Sequence, residues 1–276
     1  MRRPVRAAPS AAAARVTLWI YVALVLAFLL VPIAIIMPMS FSDQPYLTFP
    51  PPGWTLHWYA VVQDQPRWLA AALNSFRIGV PSALLAVLFG TFAALAIVRS
   101  GSRWAKPMTL LVLAPMMLPH VIIAIGLFPT LVDLRLINTY AAVVVGHTVI
   151  GIPLVFLTVS AALRGYPASL DLVARTLGAN AWRTFVRVTM PMTWTGIASG
   201  GLLAFAASFD ELMLALFLTS AKTETLPRLI WDQLSFALTP ALAAVATLML
   251  ALSMFLLSAV AVIGSVRSPP PKRIFP

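Results

Sequence analysis

The sequence contains no cysteine, which excludes disulfide bonds, thiolate catalysis and cysteine-ligated metal sites. Charged residues are also scarce, since they make up 10% of the 276 residues, whereas a soluble protein has about 25%. Hydrophobic residues reach 61%, and the mean hydropathy is +0.93. This composition predicts an integral membrane protein that lies in a lipid bilayer.

The sequence patterns of known catalytic sites are missing as well. His57, His120 and His147 are far apart, no HExxH spacing occurs, and no serine lies in a GxSxG context. No lysine completes a GxxxxGK[ST] phosphate-binding loop. We therefore predict a non-enzymatic chain that binds no cofactor and no metal. Any role driven by ATP would require a separate ATPase subunit.

Six apolar segments reach the roughly 20 residues that cross a bilayer. The first follows a basic N-terminal tail, residues 1–15. It is longer than the apolar part of a signal peptide, about 7 to 15 residues, so we interpret it as an uncleaved span. The predicted spans cover residues 16–39, 75–98, 108–132, 139–163, 192–218 and 240–265. A second tail, residues 267–276, follows the last span.

The distribution of basic residues predicts the orientation of these spans. Most of the 19 Lys and Arg fall in segments on the same side as the N-terminus, which the positive-inside rule places in the cytoplasm together with the C-terminus. The formal charge of +11 does not indicate nucleic-acid binding, because the basic residues are spread over short loops and form no single surface.

The external side carries one long connection, residues 40–74. Its run of prolines at 50–52 followed by Gly53 leads us to expect no regular secondary structure there. Trp54, Trp58 and Tyr59 are typical of residues that anchor a chain at the membrane interface. A contribution to substrate admission or to docking an external partner is the alternative.

A polar segment, residues 164–191, separates the fourth and fifth predicted spans. It has a helical pattern of charges interrupted by Gly178 and ends at Pro191. Val173 and Ala174 precede Gly178, and the segment closes with Val188, Thr189, Met190 and Pro191. This spacing resembles the EAA loop of the permease subunits of bacterial ABC importers. Leu172 occupies the position of that family's glutamate, and an acid, Asp171, lies one residue earlier.

The resemblance implies two short helices around Gly178 that insert into a groove on a separate ATPase subunit. A solvated amphipathic loop on the membrane surface is the alternative. The residues expected to couple to the ATPase are Asp171, Ala174, Arg175, Thr176, Gly178, Ala179 and Pro191.

Segments outside the loop also resemble these permeases, and they resemble the polyamine-type branch in particular. The matching segments are residues 46–59, 72–75, 208–218 and 225–250. The resemblance implies an all-α membrane protein with six spans, the type I ABC importer permease fold, in a bacterial inner membrane. The implied function is half of a translocation pathway for a small polar solute, a polyamine or related amine. The implied partners are a second homologous permease, two ATPase subunits that use ATP and Mg²⁺, and an extracytoplasmic binding protein.

Asp210 and Glu211 are adjacent acids inside an apolar segment, where an ionised side chain usually faces a polar cavity. Neighbouring helical residues point about 100° apart, so we expect one acid to line the pathway and the other to pair with a neighbour or cap a broken helix. A purely structural role for the pair is the alternative. Ser208 and Asn74 are further pathway candidates, and Trp231 and Asp232 are candidates for the outer mouth.

His120 is the remaining pathway candidate. Its imidazole would suit a substrate with an anionic group, such as an opine or an aminophosphonate, and simple packing is the alternative. His147 is expected to pack between helices, as are the glycines at 196, 200 and 201, which could also form a sliding surface between two permeases. A secondary transporter driven by an ion gradient is the rival class, although it normally needs more spans or internal repeats.

Overall fold

The computed structural model describes residues 11–235 and 238–265. Most of the predicted N-terminal tail and the whole C-terminal tail lie outside the described residues. The described part is helical, and its one strand-like pairing is an isolated antiparallel bridge between Ser42 and Trp54. The chain divides into two units, residues 1–64 with 237–248 and residues 65–236 with 249–276.

The first unit contains helix α1, Ala11–Met39, and the short helix α2, His57–Asp64. Between them, the Trp58 indole nitrogen donates to the carbonyl of Ser42 over 2.7 Å, and the hydroxyls of Ser40 and Tyr59 lie 2.7 Å apart. The two aromatic side chains therefore hold the connection together. The expectation of no regular structure in residues 40–74 was wrong at its C-terminal end, where α2 forms and the next helix begins.

The second unit is built around three helices, α3 (Pro66–Arg99), α6 (Tyr140–Gly165) and α9 (Met190–Phe209). They approach closely because small residues lie where they meet. A Cβ atom on Gly90 would lie 2.8 Å from the Cβ of Val155, and one on Gly151 would lie 3.0 Å from the Cβ of Ala86. Such small-residue contacts are the usual basis of helix packing in membranes, where lipid is as apolar as the protein surface.

The third predicted span, residues 108–132, is not a single helix. It consists of α4 (Ala105–Met117) and α5 (His120–Asp133), which are bent by 102° relative to each other. Leu118 is extended at the break, as expected for a residue that precedes a proline. Within the described residues, five helices are long and apolar enough to span a membrane, or six when the bent pair counts as one span.

The fifth predicted span, residues 192–218, is also interrupted. Its main helix ends at Phe209, and a short helix, α10 (Met213–Leu218), follows after Asp210, Glu211 and Leu212. An amphipathic helix that the sequence did not suggest, α11 (Leu226–Leu234), leads to the last helix, α12 (Pro240–Ser265). The bounds of α12 match the prediction, and its residues are divided between the two units.

Two other helices begin or end outside their predicted bounds. The second span starts at Pro66, well before residue 75, since proline is well suited to the first turn of a helix. The fourth span ends at Gly165, and its start is capped by the Thr139 hydroxyl, which accepts from the Ala142 amide.

Candidate functional site

The polar loop folds into two short helices on either side of Gly178, as the resemblance to the EAA loop implies. They are α7 (Ser169–Thr176) and α8 (Ala181–Thr184). Gly178 has a φ of +86°, a conformation that glycine adopts readily. The side chain of Asn180 accepts a hydrogen bond of 2.8 Å from the Arg183 amide and so caps the start of α8.

The loop does not end at Pro191, however. Helix α8 continues through a π-helical segment, Phe185–Thr189, directly into α9, so that residues 181–209 form one apolar span. Proline cannot donate to a preceding carbonyl, and a local widening of the helix just before Pro191 accommodates its ring. The second loop helix is therefore an extension of the fifth span.

The tip of the loop exposes apolar side chains. Leu177 is 83% exposed, and Leu172, Val173 and Trp182 are each more than half exposed. These four residues were not among the predicted coupling residues, of which Arg175 and Thr176 are exposed and Ala174 and Ala179 are partly buried. An exposed apolar cluster beside polar residues is typical of a surface that binds another protein.

Asp171 turns inward, away from this exposed tip. Its Oδ1 accepts hydrogen bonds from the Tyr166 hydroxyl, 2.6 Å, and from the Thr189 hydroxyl, 3.0 Å. Its Oδ2 lies 3.4 Å from Nε of Arg99, whose guanidinium stacks 4.5 Å above the Tyr166 ring. Burial raises the pKa of Tyr166, and the bond to Asp171 raises it further, so the phenol stays protonated and donates.

Glu211 lies in the break between α9 and α10 and is 5% exposed. Its Oε1 accepts from the Leu214 amide over 2.9 Å and caps α10, and its Oε2 lies 2.5 Å from Nδ1 of His120. His120 is the first residue of α5, directly after the other helix break. One of the two acids was expected to pair with a neighbour or cap a broken helix, and Glu211 does both.

Asp210 is exposed and borders a cavity of about 210 Å³. Trp231, on α11, lines the same cavity together with Leu212, Pro227, Ile230, Leu234 and Met249. One of Asp210 and Glu211 was expected to line the pathway, and Trp231 was a candidate for the outer mouth. The structure places Asp210 and Trp231 in the wall of the same cavity. Asp232, the second predicted mouth residue, lies 3.9 Å from Arg67.

Ser208 and Asn74 are both buried, and both make hydrogen bonds inside the protein. The Ser208 hydroxyl lies 2.7 Å from Nδ1 of the buried His147. The Asn74 amide donates to the carbonyls of Lys222 and Glu224 over 3.1 and 3.0 Å and accepts from the Tyr140 hydroxyl. Neither lines the cavity beside Asp210, and their role in a pathway stays a prediction.

Several interacting residues were missed at the sequence level. They are Arg67 and Glu224, which form a two-bond ion pair, and Arg99, Tyr166 and Thr189 around Asp171. The two arginines lie far from their carboxylates in sequence, so no local spacing could have revealed those pairs.

Residues 86–265 match the model of a family described as binding-protein-dependent transport system inner membrane component. The chain belongs to this family. Its members are non-catalytic transmembrane components of transport systems, so the expected ABC importer permease class is confirmed, and the secondary transporter is set aside.

Two relatives extend this similarity over most of the permease. The chain is 30% identical to the putrescine transport system permease protein PotI of Escherichia coli K12, over 81% of this chain and 82% of PotI. It is 27% identical to the spermidine/putrescine transport system permease protein PotC of the same strain, over 84% of this chain and 88% of PotC.

The fold is shared with a solved bacterial ABC transporter that imports the acidic polysaccharide alginate. The TM-score is 0.68 at 16% identity, covering 96% of this chain and 100% of that one. The prediction of an all-α permease fold of the type I ABC importers is thereby confirmed.

Proposed function

We propose that this permease forms half of the translocation pathway of an ABC importer for a polyamine or a related amine. The observation that carries the substrate class is the cavity shared by Asp210 and Trp231. A carboxylate beside an aromatic face suits an ammonium group, since the ring attracts a cation and the carboxylate neutralises it. Two relatives of similar length that are permeases of polyamine transport systems also favour this substrate.

The importer contains a second homologous permease, two ATPase subunits and an extracytoplasmic binding protein. ATP and Mg²⁺ bind to the ATPase subunits, and the exposed apolar tip at Leu177 and Trp182 enters a groove on one of them. A cytoplasmic location of the loop and of both chain termini is supported by the distribution of Lys and Arg. Closure of the ATPases on ATP displaces α7 and α8 and rocks the bundle between inward and outward openings.

A second substrate class is an opine, an aminophosphonate or a similar solute with an anionic group. His120 supports it, because its ring is 42% exposed and borders a further cavity of about 210 Å³ lined by Met116, Ile150 and Ala207, among others. A ring nitrogen of His120 that donates a hydrogen bond would favour an anionic group, which Asp210 alone would repel.

The test is reconstitution of the permease in lipid vesicles with the candidate partner subunits encoded beside it. We expect a stable assembly with an ATPase, stimulation of hydrolysis by polyamine-loaded binding protein, and uptake of putrescine or spermidine. The Asp210→Asn variant should show uptake lower by roughly tenfold or more, because it loses a carboxylate–ammonium contact worth about 1.5–3 kcal/mol. Asp133→Asn, an exposed acid at the end of α5, is the matched control and should leave uptake unchanged.

Each outcome bears on a different part of the proposal. Stimulation by an opine or an aminophosphonate but not by polyamines would keep the importer and replace the substrate. Absence of any ATPase from the purified assembly would overturn the importer itself.

A further inference from the structure

Helix α3 has an ion pair at each end. It runs without interruption for 34 residues, which at about 1.5 Å per residue gives a length of roughly 50 Å. Arg67 lies in its first turn and pairs with Glu224, and Arg99 is its last residue and pairs with Asp171. The two carboxylates belong to different connections of the second unit.

At the cytoplasmic end, the ion pair joins α3 to α7 across an open space. A cavity of about 700 Å³ lies between the end of α3 and the loop helices, with Arg99 and Asp171 both in its wall. Packed side chains therefore do not fill the gap between α3 and α7. The bonds from Tyr166 and Thr189 to Oδ1 of Asp171 fix the orientation of the carboxylate, and its Oδ2 faces Nε of Arg99.

At the opposite end, α3 holds the segment that connects α10 to α11, residues 219–225. The Arg67 guanidinium donates two bonds to Glu224, 3.0 and 2.9 Å long. Asn74 donates to the carbonyls of Lys222 and Glu224, and the hydroxyl of Ser75 accepts from the Leu226 amide over 2.9 Å. Two residues of α3, Arg67 and Asn74, thus bind this segment, and Ser75 binds the first residue of α11.

The pair of Arg67 with Glu224 differs from an ordinary surface ion pair, which contributes little because both partners are mobile and solvated. The Glu224 side chain is 7% exposed, and its pair with Arg67 has the parallel two-bond geometry that fixes orientation. Between its ends, α3 is closely packed, since a Cβ on Gly79 would lie 3.0 Å from the Phe205 ring. A close-packed helix transmits displacement instead of absorbing it.

We propose that α3 links the ATPase-docking loop to the segment 219–225 on the other side of the membrane, with Asp171 and Glu224 as the positioning residues at its two ends. Displacement of α7 reaches Arg99 through Asp171, moves α3, and shifts the segment 219–225 through Arg67 and Asn74. This link rests on the proposed function. It assigns to Asp171 a role in transmission inside the permease, distinct from contact with the ATPase.

The variants Asp171→Asn, Glu224→Gln and the double variant test the link in the reconstituted importer. We expect each single variant to assemble and to keep its basal ATPase activity. The stimulation of this activity by loaded binding protein should fall roughly tenfold, which corresponds to about 1.4 kcal/mol of coupling free energy. Both residues belong to the same proposed link. The double variant should therefore lose no more stimulation than the single variant with the larger loss. Leu177→Asp, at the exposed tip, should instead lose the ATPase itself.

A reporter on the far side gives a second readout. The sequence contains no cysteine, so Lys222→Cys provides one exposed labelling position near Glu224. A fluorophore there should respond to ATP in the otherwise unaltered importer, and Asp171→Asn should abolish the response. The ATPase must co-purify with the labelled Asp171→Asn variant, because a loop that no longer docks the ATPase would silence the label as well.

Several results would overturn the link. Losses that add in the double variant would mean two independent local effects, as would an unchanged ATP response of the label in Asp171→Asn. Arg67→Lys is the fallback if Asp171→Asn fails to assemble, since it keeps the charge of an exposed residue but loses the two-bond geometry. An Arg67→Lys variant with unchanged stimulation would then overturn the link. An unaltered chain that binds no ATPase would overturn the proposed function, whereas additive losses in an assembled importer would overturn the link alone.

Discussion

Gly178 and Asp171 lie in the same loop but contribute in different ways. Gly178 contributes through its backbone alone, since no heavy atom lies within 4 Å of the place where a Cβ would stand and its φ is +86°. Asp171 contributes through its carboxylate, which three side chains hold from the inside of the loop. A substitution at either position therefore affects the angle between α7 and α8 without removing the exposed apolar tip.

The first prediction concerns the identity of Gly178. Gly178→Ala should disfavour the observed turn by about 1–2 kcal/mol, the strain of a left-handed conformation for a residue with a Cβ. We expect lower stimulation of the ATPase by loaded binding protein and an unchanged amount of permease in the membrane. Gly178→Asn is the matched control and should be milder, since asparagine tolerates this conformation. Equal activity of the alanine variant and the unaltered permease would contradict the prediction.

At the scale of elements, α6 and α9 meet through glycines. A Cβ on Gly200 would lie 2.4 Å from the Thr158 hydroxyl oxygen and 2.9 Å from the Cα of Val155. A Cβ on Gly196 would lie 2.8 Å from the Thr158 carbonyl oxygen, and one on Gly201 would lie 2.9 Å from Val87. These glycines face helices of their own chain, so the expected packing role is confirmed, whereas the idea of a sliding surface between two permeases finds no support in these contacts.

The second prediction tests this close approach. Gly200→Ala should lower the free energy of unfolding by about 1–3 kcal/mol, since overpacking forces neighbouring helices apart. Thermal unfolding of the purified permease in mild detergent measures the change. Gly126→Ala is the control, because Gly126 is helical and has no heavy atom within 4 Å of its added Cβ. A Gly200→Ala variant as stable as the Gly126→Ala variant would contradict the prediction, because α6 and α9 could then move apart without a loss of stability.

At the scale of the whole molecule, the loop and the segment 219–225 are predicted to face opposite sides of the membrane. Basic residues are concentrated on the side of the loop, and the positive-inside rule makes that side cytoplasmic. An odd number of crossings must then separate Leu177 from Lys222. The single span of residues 181–209 meets that requirement if the short α10 does not cross.

The third prediction follows from this orientation. Because the chain has no cysteine, Leu177→Cys and Lys222→Cys each introduce a single exposed thiol. A thiol reagent that cannot cross membranes should label Lys222→Cys in intact spheroplasts and should label Leu177→Cys only after permeabilisation. The reverse pattern would invert the orientation, and labelling of both from outside would contradict the span between them.

Local composition and spacing determined the membrane setting, the helical class and the approximate spans. The last span matched its predicted bounds, residues 240–265, because length and hydrophobicity within one segment decide whether it crosses a bilayer. Gly178 likewise marked the turn between two loop helices, since only the backbone at that residue is involved. The break at Leu118 was missed, and the break after Phe209 was anticipated only as one role open to Asp210 or Glu211, because hydrophobicity alone does not distinguish a continuous helix from a bent one.

Contacts between distant parts of the chain were decided by the tertiary structure alone. His120 and Glu211 are 91 residues apart, and Arg67 and Glu224 are 157 apart. The inward orientation of Asp171 likewise depends on Arg99 and Thr189, which lie on other helices. The periodicity of a helical segment specifies which of its residues share a face. The residues that they contact on another helix depend on how the two helices pack, and local sequence patterns do not specify that packing.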